Sequence, residues 1–304
     1  MSNFDIYSMV TDRIIAELEK GHIPWRKPWK VTGSKVTTIA EAQKIAFNRI
    51  TRLAYSGLNQ MLLSRTGEYA SFKQWHEIGG VIKKGAKAEY VVFWKWLERE
   101  GKDGETGDIK INRIPVLKYY NVFHIDDVDN VLPLTADCFE DSDEQPFDSE
   151  QEAERIITIY SEREKLPIIY RGNQAYYAPM LDHIVIPERH KFKQCAEFYS
   201  TVFHEITHST GAEKRLNRLG ENGKAFFGNE AYSKEELVAE IGASGMLSLL
   251  NIETPTSFTN SAAYIESWLK ALKNDKRLIV SAAGKAEKAI DYIINGQNDV
   301  TSVI

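Results

Sequence analysis

The stretch FYSTVFHEITHST, residues 198–210, holds His204, Glu205 and His208 in the order His-Glu-x-x-His. Side chains four apart on a helix share a face, so both imidazoles aim at one point and can share a Zn²⁺. Glu205, next to the first imidazole, is set to take a proton from an attacking water as a metallopeptidase general base. Such a five-residue match also arises by chance. Here Phe198, Val202, Phe203 and Ile206 supply apolar flanks and Gly211 a stop, the pattern of a buried helix. A third protein ligand is needed if one coordination position is to stay open. The segment SKEELVAEIGASGML offers Glu236 and Glu240, one turn apart. Ser233 reads as its N-cap, and Glu236 three residues on has capping-box spacing, which would give it a purely structural role. Against that, carboxylates four apart on an apolar helix repel unless a cation or donor lies between them. Either acid can be the ligand, with the other hydrogen-bonding a ligand histidine. Tyr232 and Tyr264 are candidate oxyanion donors, although packing is the plainer role for each. His183 and His190 read as surface residues.

A second constellation sits near the start. HIPWRKPWK interleaves Trp25 and Trp29 with Arg26, Lys27 and Lys30, and Pro24 and Pro28 predict an extended loop. Aromatic faces stack on unpaired bases and cations follow phosphates, a combination suited to single-stranded nucleic acid. Arg49, Arg52, Tyr55 and Asn59 follow in FNRITRLAYSGLNQ, and Lys83, Lys84 and Lys87 in a glycine-flanked loop. Alternation in VVFWKW puts Trp94 and Trp96 in the core. A Trp-rich core with a solvated basic rim is the competing account of the whole region.

The elements that must carry these groups read as follows. A first helix ends near Gly21, a second covers roughly Ala46 to Ser64, and a short one runs from Ser71 to Gly79-Gly80. AEYVVFWKWLERE and IPVLKYYNVFHI pair as antiparallel strands across GKDGETGD. Then come a helix over Glu150 to Glu164, the strands PIIYRG, QAYYAP and DHIVIP, and helices over Lys193–Ser209, Ser233–Leu250, Ser261–Asn274 and Leu278–Ile294. DHIVIP is expected along the cleft edge, where a substrate backbone can pair. The fold class is α+β, with a sheet ahead of a motif helix and a ligand helix.

Charge divides the chain the same way. Residues 1–125 hold 20 Lys and Arg against 13 Asp and Glu; residues 126–152 hold 11 acids and no base; the remainder is near balance. The basic front suits a polyanion and the acidic joint a linker. This gives residues 1–130 as a nucleic-acid-binding domain, 131–149 as linker and 150–304 as a metallopeptidase domain. In 304 residues, 43% are hydrophobic, with no run near the ~20 needed to span a bilayer. No signal peptide is visible, and only Cys138 and Cys195 occur, so a reducing, cytoplasmic setting is expected.

HEITH followed by a helix with E-x-x-x-[DE] resembles the thermolysin-type gluzincins. In that pattern the first acid binds zinc and the acid four residues later supports a ligand, which implies Glu236 and Glu240 respectively. HEITHSTGAEKRLNR with SKEELVAEIGA is similar to the metallopeptidase domain of ArdC-type antirestriction and polyvalent proteins. The spacing from His208 to Glu236 exceeds thermolysin's, so GENGKAFFGNEAY is an inserted loop that can line the cleft. W-R-K-P-W, Y-S-G-L-N, YASFKQWHEIGGVIKKGAK and YYNVF resemble, in order, the single-stranded-DNA-binding domain of ArdC; the family's Y-V-F-N is replaced here by YYNVFH. The resemblance implies an antirestriction protein of a plasmid or other mobile element that shields incoming DNA during transfer. Two other readings use the same residues: a DNA-dependent protease that degrades DNA-associated proteins, and a non-catalytic binding module with a structural zinc.

Overall fold

The computed structural model describes residues 5–28, 30, 33–102, 109–139, 148–219, 230–252 and 261–296. Helix α1 (Ile6–Glu19) is capped by Asp5, whose side chain accepts from the Tyr7 amide, and buries Val10, Ile14 and Leu18. Capping of this kind satisfies an amide that the first turn leaves without a partner. A 3-10 turn, Pro24–Arg26, and α2 (Ile39–Lys44) follow.

The helix expected over 46–64 is mostly another structure. Ala46–Asn48 is strand β1, and only Gly57–Leu62 is helical, as α3 with Ser56 as its cap. Asn48 explains the break: its Oδ1 accepts from the Ile50 and Thr51 amides at 3.0 Å, closing a side-chain turn in place of a helical one. Arg52 completes the turn at φ 62°. Strand β2 (Gly67–Ala70) leads to α4 (Phe72–Glu77), where Ser71 and Gln74 form a reciprocal capping box. The short strand β3 (Val81–Ile82) pairs with β6 (Val128–Asp129). Strands β4 (Glu89–Lys102) and β5 (Ile109–His124) form the expected antiparallel hairpin, in a sheet of order β1-β2-β5-β4.

Helix α5 (Ser149–Glu164) opens the second half. Strands β7 (Ile168–Tyr170), β8 (Tyr176–Ala178) and β9 (His183–Ile186) form a sheet of order β7-β9-β8. Strand β9 is therefore central and paired on both sides, so its edge is closed to a substrate strand, contrary to expectation. Helices α6 (Cys195–Ser209), α7 (Glu230–Leu249), α8 (Ser261–Asn274) and α9 (Leu278–Asn295) complete the chain. Helix α7 begins before Ser233, so Ser233 is not its N-cap. The loop at 220–229 and residues 140–147 of the acidic joint lie outside the described residues.

One apolar core runs through both halves: Val10, Ile14, Leu18, Trp25, Leu58 and Met61 pack in the same cluster as Val202, Ile206, Trp268 and Ile279. Polar contacts fasten the seam. Thr11 Oγ1 donates to the Lys276 carbonyl at 2.7 Å, and the Gly57 amide donates to Glu287 Oε1 at 2.8 Å. Among the described residues no helix is long and apolar enough to cross a membrane.

Candidate metal centre and nucleic-acid interface

Helices α6 and α7 build the candidate metal centre. His204 and His208 lie one turn apart on α6, with Nε2 atoms 3.1 Å apart and rings nearly perpendicular. Glu236 on α7 faces both, its Oε2 3.5 Å from His204 Nε2 and its Oε1 3.2 Å from His208 Nε2. The three donor atoms lie within 4.8 Å of one another. Each remaining ring nitrogen faces a further carboxylate at 3.7 Å: His204 Nδ1 faces Glu240, and His208 Nδ1 faces Glu235. The structure thus brings Glu236 to the point where the imidazoles converge and sets Glu240 behind one of them. Glu205 is buried on the same helix.

Glu235 is the residue that the sequence reading missed. Arg218, in the turn after α6, donates to it at 2.7 and 3.3 Å. The same guanidinium donates to the Thr207 carbonyl at 2.7 Å and to Thr210 Oγ1 at 2.8 Å. It therefore ties the carbonyl end of α6 to α7, with a cation at a helix C-terminus. Only the adjacency of Glu235 to Glu236 hinted at this; nothing in the spacing singled out Arg218.

Gly242 lets the two helices cross closely. A Cβ there would stand 2.7 Å from both Cγ2 and Oγ1 of Thr207, which is wholly buried. Burial opposes charge on the imidazoles, yet Glu235 and Glu236 outweigh it and push His208 up to about 10; His204 also moves upward, chiefly through Glu236. Burial also opposes charge on Glu236, but the facing imidazoles take it below the ordinary carboxylate range. Glu240 moves upward because it is buried. Carboxylates outnumber imidazoles around a point where two nitrogens and one oxygen converge. That donor set fits a divalent transition ion with an open position, its ligand histidines backed by carboxylates.

The basic front divides differently from expectation. Trp25 is 1% exposed and sets its ring edge-on to Trp268, 4.9 Å between centroids, so it joins the halves instead of offering a base platform. Its indole nitrogen is buried without a hydrogen-bond partner among the described residues. The 3-10 turn packs so closely on the second half that Arg26 feels burial first and Glu240 second. Lys27 Nζ donates to the Leu63 carbonyl at 2.8 Å. Arg49 pairs with Glu68, and Arg52 lies over the Phe139 ring at 4.9 Å. Tyr55 is buried in a small core with Tyr69, Val91 and Val122. Asn59 is buried too: its Oδ1 accepts from the Val92 amide at 2.8 Å, and its Nδ2 donates to the Val92 carbonyl at 2.9 Å. These positions were singled out by residue type, but their packing and pairing make most of them structural. Lys83, Lys84 and Lys87 are exposed, with Lys83 Nζ donating to the Asp126 carbonyl at 2.8 Å. Trp94, expected inside, is 46% exposed, and Phe93 and Tyr120 form a half-exposed ring pair 5.5 Å apart. Trp29 lies outside the described residues, as do the side chains of Trp96, Tyr232 and Tyr264.

Two family models match the chain: the N-terminal domain of the anti-restriction factor ArdC over residues 4–123, and a zincin-like metallopeptidase over 151–285. Crystal structures of the antirestriction ArdC protein from the R388 plasmid share this fold. The Mn(II)-bound form has TM-score 0.71 and 32% identity over 98% of this chain and all of that one; the metal-free form has 0.68 and 35% over 95% and 97%. The chain belongs to the ArdC antirestriction family. An uncharacterized protein, y4eC, of Sinorhizobium fredii is 32% identical over 97% of this chain and 93% of its own length. The DNA primase TraC of Escherichia coli is 30% identical over 95% of this chain, which spans only 20% of that protein. The second half thus has a zincin-like metallopeptidase fold, and the Mn(II) of the R388 relative supports a divalent metal in this family.

Proposed function

We propose that this ArdC-family protein protects transferred DNA of a mobile element, binding single strands with its first half and hydrolysing peptide bonds at a Zn²⁺ centre in its second. The observation that carries the enzymatic part is the convergence of His204 Nε2, His208 Nε2 and a Glu236 oxygen within 4.8 Å, with Glu235 and Glu240 behind the imidazoles. In this reading His204, His208 and Glu236 are the ligands. An ion held by them would supply Lewis acidity toward water and a peptide carbonyl. Glu205 takes the proton from the attacking water and passes it to the leaving amine. Glu240 and Glu235 hold the imidazole rings in the orientation that presents Nε2. Tyr264 is the proposed donor to the developing oxyanion.

Single-strand binding is supported by the exposed cations Lys83, Lys84 and Lys87 and by the aromatic surface of the β4–β5 hairpin. Cations that follow phosphates beside rings that accept unpaired bases favour single strands over duplex. The cytoplasm is the setting in which such DNA would be met.

Glu205→Gln tests the enzymatic half. Metal content, measured by mass spectrometry, should stay at one ion per chain, while cleavage of an unfolded protein substrate such as casein falls by about 10²–10⁴-fold. Metal-loaded wild-type protein that cleaves no better than this variant would leave the ion a structural staple. Gel shifts with single- and double-stranded oligonucleotides over a salt series test the other half; equal affinity for both, or no salt slope, would remove it.

A further inference from the structure

A cleft of about 460 Å³ opens where the β4–β5 hairpin meets helices α7 and α9, and Trp94 stands on its hairpin side. Its helical wall carries Lys234, Arg277 and Lys285, with Asp275 as the acidic lining residue. Three cations to one carboxylate give the cleft a positive balance. Two of the cations already have neighbours: Lys234 Nζ is 3.1 Å from Asp275, and Arg277 lies 5.2 Å over the Tyr7 ring. Lys285 is exposed and makes no ion pair with a described residue. The Trp94 indole on the hairpin side of this cationic cleft is 46% exposed.

We infer that this cleft seats one nucleotide of a single strand, the base against the Trp94 indole and its phosphate at Lys285. The inference rests on the proposed single-strand binding and adds that the peptidase half contributes contacts. Volume and chemistry agree: the cleft has the size of small-ligand sites, and a flat indole beside the exposed Lys285 ammonium favours a stacked base with its phosphate. A duplex keeps its bases paired and stacked on one another, so it cannot reach Trp94 in this way. The strand would then also run beside Lys234, which immediately precedes Glu235 and Glu236 on α7, so bound DNA would touch the helix that bears the acids of the metal centre.

The test uses the full chain with a fluorescein-labelled thymidine oligonucleotide, read by anisotropy over a salt series. Trp94→Ala should weaken single-strand binding by about 5- to 100-fold, and Trp94→Phe by much less, with binding to a duplex of equal length unchanged. Lys285→Gln should reduce the slope of log K against log salt by about 0.7, the share of one phosphate contact on a single strand. Photocrosslinking to an oligonucleotide carrying 5-iodouracil should label the peptide containing Trp94. If wild-type protein binds single strands while both variants bind as wild type and no crosslink reaches Trp94, the cleft assignment is wrong and the proposed function stands. If wild-type protein does not bind single strands, both fall. Equal loss on single strand and duplex for Trp94→Ala would overturn the stacked base. Both residues are exposed, and unchanged circular dichroism and melting temperature would show that the variants fold.

Discussion

Gly242→Ala tests the idea that the metal centre depends on how closely α7 crosses α6. The added Cβ would lie 2.7 Å from both Cγ2 and Oγ1 of Thr207, where ordinary contact begins near 3.4 Å. Thr207 cannot turn aside easily: it is wholly buried, and its hydroxyl donates to the Phe203 carbonyl at 2.7 Å. A β-branched side chain in a helix has few rotamers to try. The helices must therefore part by roughly 0.7 Å, an estimate from the difference between those contacts, and overpacking of this kind costs about 1–3 kcal/mol. Alanine recovers up to about 1 kcal/mol of helix propensity over glycine. The net loss is up to about 2 kcal/mol, a fall in melting temperature of up to roughly 3 °C at about 2.1 cal/mol/K of unfolding entropy per residue.

The larger effect should be on the metal. Glu236 sits on α7 and both histidines on α6, and ligand distances tolerate only about 0.2 Å. Calorimetric titration of chelator-treated protein with Mn²⁺ or Zn²⁺ should show affinity reduced by roughly 10- to 100-fold, the scale seen when a ligand's support is disturbed. The double variant Gly242→Ala/Thr207→Ala removes both atoms at 2.7 Å and should recover part of each loss, giving a favourable coupling between the two sites. If Gly242→Ala melts with wild-type protein and binds metal equally well, the close crossing does not hold the centre together.

Three further outcomes are expected. Glu235→Gln should lower metal affinity by about 10- to 100-fold without removing a ligand, because it releases both His208 and the Arg218 tie; titration calorimetry reads this directly. Replacing Lys83, Lys84 and Lys87 together by Gln should flatten the salt slope of single-strand binding by about 2, at about 0.7 per phosphate contact, and an unchanged slope would remove that loop from the interface. Asp182 supplies a pH dependence: burial raises its carboxyl, but hydrogen bonds from Arg215, Lys214 and Tyr177 overcome this and hold it at about 2. A depressed folded value contributes stability above the unfolded carboxylate range that is lost as pH falls toward about 2, and Asp182→Asn should make denaturant unfolding less sensitive to pH between 4 and 2 at about those limits.

The candidate metal centre was legible because its signal is local. His204, Glu205 and His208 lie within one turn and a third of a single helix, so periodicity alone brings the imidazoles together. Choosing Glu236 over Glu240 needed the family resemblance, since both lie on the same face and only the packing of α7 on α6 distinguishes them. The nucleic-acid surface was less legible because residue type does not report exposure. Trp25 and Asn59 look like binding residues by composition, yet one seals the seam between the halves and the other repairs the backbone of β4. Trp94 was assigned inward by alternation, which says only that successive side chains alternate and not which face meets solvent. Asn48 broke the expected second helix with a single side-chain oxygen, a local competition that hydrophobic spacing cannot register.

These misplacements share a consequence for how the two halves communicate. Residues expected on a free DNA-binding surface instead lie at the seam: Trp25 meets Trp268, and the neighbouring Arg26 is close enough to Glu240 for their charges to interact. Glu240 in turn faces the Nδ1 of His204. A basic side chain of the first half thus contributes to the field around an acid that orients a candidate ligand of the second. In a buried, low-dielectric setting such a charge acts more strongly than it would in water. The halves therefore meet beside the candidate metal centre, where the 3-10 turn packs on α7, as well as through a common apolar core. Separating them would expose Trp25 and Trp268 and remove the Arg26 charge from Glu240 in one step, so neither half should be expected to keep its properties alone.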